Sequence, residues 1–230
     1  MKQFHSLSIG LVVSLVAGAC LNARAEPLPG GTLDPTSIPK YEAPLVIPTP
    51  MPPVSTTNGL DYYEIAVRQF VQQILPTNLP PTTVWSYGAI AAPGTFNYPS
   101  FTIEALVDRP VRVKWINGLV DADGNYLPHL LPVDPTLHWA NPPGGTDDRD
   151  MTPTFTNTPG PYTGPVPMVV HLHGGHSAEE SDGYTEAWYL PVATNIPSGF
   201  ATVGTYYDYF KDKFFDKFGV EWEPGTAVFQ

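Results

Sequence analysis

The chain has 230 residues and a formal net charge of −11, from 22 acidic against 11 basic side chains, which argues against a nucleic-acid partner and its basic footprint. Proline and glycine make up 48 of the residues while 42% are apolar and 12% aromatic, a composition that excludes disorder throughout and fits an all-β fold with many turns. The single cysteine, Cys20, excludes an internal disulfide.

The first 25 residues have the pattern of a secretory signal. Lys2 gives the positive start, Leu7 to Ala19 the apolar core, and Ala23-Arg24-Ala25 a small-x-small cleavage site before Glu26. That core is too short to span a membrane, and no later stretch comes close. Ala17-Gly18-Ala19-Cys20 offers a competing reading, a lipoprotein signal lipidated at Cys20, for which Ala17 is a poor fit. Cleavage removes Lys2 and Arg24, leaving 9 basic against 22 acidic residues, a balance of −13, and no cysteine. Export without disulfides suits a bacterial periplasm or exterior.

Residues 26–59 are dense in proline, from Pro27 to Pro53. They are expected as an extended leader without helix, lying on a surface or acting as a spacer. Tyr62 to Leu75 follows, with Ile65 and Val67 alternating against Ala66 and Arg68 and Pro76 closing it. The alternation favours a strand, although Ile65, Gln69 and Gln72 also suit a helix. Thr82 to Tyr87 and Tyr98 to Leu106 are expected as shorter strands. In Val111 to Ile116, Val111, Val113 and Trp115 share one face while Arg112 and Lys114 take the other, and Asn117-Gly118 ends the run. Strands at this spacing point to a sandwich or barrel. Residues 120–166 form one long loop-rich excursion. Tyr207, Phe210, Phe214 and Phe218 fall at helical spacing with Gly219 as a stop, predicting an amphipathic helix whose aromatic stripe packs into a core.

The stretch that concentrates chemistry is Met168-Val169-Val170-His171-Leu172-His173-Gly174-Gly175. On a strand, His171 and His173 share a face with Val169, about 6.6 Å apart, while Val170 and Leu172 point into apolar packing. Two imidazoles so placed can hold one metal or address two neighbouring ones. Imidazole suits zinc, copper, iron and nickel, so spacing selects no metal. The glycines allow a sharp turn or a close approach to the backbone.

Other candidates have plainer readings. His176 lies past the glycines and out of strand register, at the mouth of the site or in solvent. His129 and His138 belong to the loop-rich excursion, where packing or exposure is the default, and His5 leaves with the signal. Asp121-Ala122-Asp123-Gly124-Asn125 has the opening of a calcium loop, but its glycine is misplaced and no glutamate closes it, which leaves a surface turn. Among Glu179, Glu180, Asp182 and Glu186, Asp182 is the carboxylate to test as a ligand orienter or proton carrier.

The stretch HLHGGHSAEESDGYTEAWY, running from His171 to Tyr189, resembles the first copper-binding motif of multicopper oxidases. Within the family it is similar to the branch of spore-coat laccases, bilirubin oxidases and phenoxazinone synthases, with Thr185 where proline is common. The upstream order also fits: Tyr62-Tyr63-x-Ile65-x-Val67-Arg68-Gln69, then Ser100 to Ala105, then Val111 to Asn117. The resemblance implies a cupredoxin-like Greek-key β-sandwich over residues 60–230. It implies copper as cofactor, His171 as a type 2 ligand and His173 as a type 3 ligand, with Asp182 as a supporting or proton-relay group. It also implies one-electron oxidation of a phenolic or similar reductant, coupled to reduction of dioxygen to water.

The chain departs from the family pattern in having no histidine after His176 and no mature cysteine for a type 1 site. Val228-Phe229-Gln230 has the look of a strand cut short. The expectation is an N-terminal plastocyanin-like domain, truncated at its C-terminal end before a second His-x-His and lacking its C-terminal cupredoxin domains, inactive as an oxidase alone. The alternative is a non-catalytic exported domain that binds copper or a partner.

Overall fold

A computed structural model describes residues 33–134, 140–157, 160–174 and 177–230. The signal expected over residues 1–25, with Cys20, and the histidines His138 and His176 lie outside the described residues. The chain divides into two units, Met1–Ser37 and Ile38–Gln230. The described part of the first holds a 3-10 turn, Pro35–Ser37, where the leader was expected to lack helix. Asp34 explains it: its carboxylate accepts from the backbone N–H and the hydroxyl of Thr36, at 2.8 and 2.7 Å.

In the second unit, the alternation from Tyr62 resolves as strand. Strand β1 is Ser55–Thr57, β2 Leu60–Gln72, β3 Thr82–Ala89, β4 Val111–Asn117 and β5 Thr226–Phe229. They form one sheet in the order β1-β2-β4-β5, with β3 also pairing β2. β2 and β4 run parallel, Asp61 opposite Val111 through Val67 opposite Asn117; the other pairs are antiparallel. Among the described residues of the unit the α-helices are α1, Gly145–Asp148; α2, Glu179–Asp182; and α3, Tyr207–Phe218. The unit is built mainly of sheet with few helices, in keeping with the expected all-β class. Among the described residues no helix is long and apolar enough to cross a membrane.

Burial follows the residue pattern. Tyr63 and Ile65 of β2 pack with Val113 of β4, and Met51, from the proline-dense stretch, inserts into the same cluster. A second cluster joins Tyr207, Phe210 and Phe214 of α3 to Ala227 and Val228 of β5 and to Met168 and Val170. α3 covers the helical spacing of its aromatics and stops where Gly219 turns left-handed, its N–H donating to the Phe215 carbonyl at 2.7 Å. Apolar contact thus fixes the approach to the histidines from beneath.

Two expected strands are not strands. Tyr98 to Leu106 makes only a single bridge, Thr102 with Pro50; Phe101 and Ile103 satisfy its apolar pattern by docking on the β2–β4 cluster. Residues 168–173 are extended but stand outside the sheet, bridged only at Met168 to Tyr189. The expected packing of Leu172 also fails, since Leu172 is 53% exposed. Beyond Val170 the main chain is held by Leu172 N–H donating to the Ser181 carbonyl at 2.7 Å, while the Leu172 side chain stays exposed.

Candidate metal centre

The segment bearing the histidines is held at its base by reciprocal backbone bonds. Met168 and Tyr189 each donate to the other's carbonyl at 2.9 Å, and Tyr189 is itself buried. Asn117, at the end of β4, adds a side-chain clamp. Its amide donates to the Val166 and Tyr189 carbonyls at 2.9 and 3.1 Å, joining two chain segments just below the site. From there side chains alternate: Met168 and Val170 inward, Val169, His171 and His173 outward. The two imidazoles are exposed, with ring centroids 5.6 Å apart and planes inclined at 57°. A metal sits about 2 Å from an imidazole nitrogen, so these rings can share one ion or each serve a neighbouring one. After them Gly174 takes a φ of 82°, the turn for which glycine is needed.

The acidic loop folds back onto this segment. α2 is a single turn, Glu180 is buried within it, and Glu179 pairs with Lys213 of α3. The Asp182 main-chain carbonyl meets His171 Nδ1. A carbonyl only accepts, so Nδ1 is the donor in this contact and Nε2 is the nitrogen left to face a metal. The Asp182 carboxylate is 75% exposed, and its Oδ1 lies 3.8 Å from Nδ1, too far for a hydrogen bond.

Tyr184 and Trp188 fix the far end of the loop. The Tyr184 ring packs on Tyr206 and Phe210, with centroids 4.6 and 5.5 Å away, and the Tyr206 phenol pushes the Tyr184 hydroxyl above its ordinary value. Trp188 is buried, its indole N–H donating to Asp150 at 2.6 Å, while the other Asp150 oxygen accepts from the Thr205 N–H at 2.7 Å. In the sequence Asp150 is one residue of the loop-rich excursion, and its only signal is the Trp188 that needs an acceptor. Asn117 was seen as a strand end and not as a clamp.

The remaining sequence candidates lie elsewhere. His129 packs between Trp85 and Tyr162, at 5.9 and 6.0 Å, and burial lowers its pKa. Asp121 closes a turn on the Asp123 and Asn125 N–H groups, both at 2.9 Å, which lower its pKa. A hollow of about 360 Å³ opens beside Val169, bounded by His129, Asp150, Glu186 and Trp188. Among the described residues, no three His, Cys, Asp or Glu side chains gather as a fuller metal site.

No protein-family model matches the chain. Curated relatives do. It is 37% identical over 161 residues to a laccase of Haloferax volcanii, covering 69% of this chain and 23% of that protein. It is 33% identical over 150 residues to a laccase of Bacillus subtilis, covering 65% of this chain and 23% of the relative. A multicopper oxidase of Oryza sativa subsp. japonica is 37% identical over 124 residues, or 54% of this chain and 18% of the relative. The chain belongs to the multicopper oxidase family. It spans about a quarter of the length of the laccases it matches. Copper is the metal of multicopper oxidases, and the donors here fit it. Imidazole nitrogens suit copper, and His171 offers Nε2 because its other nitrogen is already engaged.

Proposed function

We propose that the chain is the N-terminal domain of an exported multicopper oxidase. Residues 1–25 act as signal, 26–59 as a proline-rich leader, and 60–230 as a plastocyanin-like Greek-key sandwich. His171 serves a type 2 copper and His173 a type 3 copper, within a cluster whose other ligands come from a second His-x-His later in the same domain and from motifs near the C-terminus of a longer protein. The reading is carried by one observation: two outward imidazoles on one face of a braced segment, in a chain homologous to laccases. When bound, copper supplies the reduction of dioxygen to water with electrons from a phenolic or similar small reductant. The chain's own part is to hold and orient. Met168 and Val170 anchor the segment, the Asp182 carbonyl sets the His171 tautomer, and Glu180 and Trp188 seat the loop. The exposed Asp182 carboxylate, 3.8 Å from the ring, carries protons between solvent and the site.

The test is made in the full oxidase. Replacing His171→Ala and His173→Ala together is expected to lower bound copper and to reduce oxygen uptake with a phenolic donor by at least about 100-fold. Unchanged copper content and unchanged uptake would contradict it.

A further inference from the structure

We infer that Gly183 is a positioning residue for His171, holding the ring in the tautomer that binds metal through Nε2. The inference rests on the reading of His171 as a copper ligand. Gly183 takes φ 84° and ψ 101°, a conformation that side-chain-bearing residues avoid. A Cβ built there would fall 2.8 Å from His171 Cβ, 3.0 Å from His171 Cα and 2.9 Å from the Val170 carbonyl oxygen. Two of those atoms are backbone, so any side chain would push the loop off the histidine segment. The same close approach brings the Asp182 carbonyl onto Nδ1 and the Ser181 carbonyl onto the Leu172 N–H at 2.7 Å. Orientation therefore comes from the main chain of the loop, with its register set by the absence of a side chain at Gly183. The Asp182 carboxylate is free for other work.

Proton–nitrogen correlation across the imidazole ring of the metal-free, nitrogen-15-labelled chain reads the tautomer directly. The native chain and Asp182→Ala, which keeps the carbonyl, are expected to hold His171 as the Nδ1–H form. Gly183→Ala is expected to move His171 toward the Nε2–H form, to leave His173 unchanged, and to weaken copper binding by about 10- to 100-fold. An Nε2–H form in the native chain, a changed tautomer in Asp182→Ala, or an unchanged one in Gly183→Ala would each overturn the inference. The first two stand even if Gly183→Ala does not fold. Copper titration of His171→Ala separates this from the ligand reading. Native-like affinity there would overturn the copper assignment and leave the tautomer result intact.

Discussion

Asn117 joins segments that lie 49 and 72 positions further along the chain through one buried amide. Asn117→Ala would leave the Val166 carbonyl without its amide donor and take one of two donors from the Tyr189 carbonyl, which keeps the Met168 N–H; an unsatisfied buried polar group costs about 1–3 kcal/mol. A fall in denaturation free energy of about 2–3 kcal/mol is expected, measured by urea titration; a change under 0.5 would mean that water replaces the amide. His129 sets a different dependence. Burial holds its imidazole below the ordinary 6.5, while the unfolded chain keeps the ordinary value. As pH falls from neutral the unfolded state takes up the proton first, so stability declines from about pH 6.5 and levels off below the folded pKa. His129→Gln should flatten this part of the slope in urea midpoints compared between about pH 7.5 and pH 5, and an equal slope in both proteins would refute it.

At the scale of elements, α3 and β5 form the floor beneath the histidines. Phe214 is 2% exposed, between the helix and the Trp222 ring. Phe214→Ala should destabilise the fold by about 3–5 kcal/mol in the same titration. These elements were legible in the sequence because periodicity reports burial directly: β2 and β4 alternate, and the aromatics of α3 repeat at helical spacing. The nearness of the His171 and His173 rings was legible for the same reason, while the inward turn expected of Leu172 was not found. What was not legible is where backbone groups find partners. Residues 98–106 and 168–173 have the apolar content of strands, but single bridges to Pro50 and Tyr189 replace a ladder. The support given by Asn117, Asp150 and the Asp182 carbonyl was hidden because each partner is remote in sequence or is main chain. Glu180 stands in the sequence as one of four loop carboxylates with nothing to set it apart, yet it is buried.

At the scale of the molecule, the described residues bring together two imidazoles with a braced loop, and copper chemistry needs more donors than these. If the other ligands lie on other parts of the oxidase, as proposed, the chain alone, with copper and a phenolic donor supplied, is expected to give no sustained oxygen uptake in an electrode assay; steady turnover would overturn that part of the proposal. The central claim is that His171 and His173 are copper ligands. Its most direct test is pulsed electron paramagnetic resonance of the copper-loaded chain, beside the same chain carrying His171→Ala and His173→Ala. Imidazole nitrogen couplings are predicted in the native chain and their loss in the double variant. Couplings of equal strength in both proteins would contradict the account.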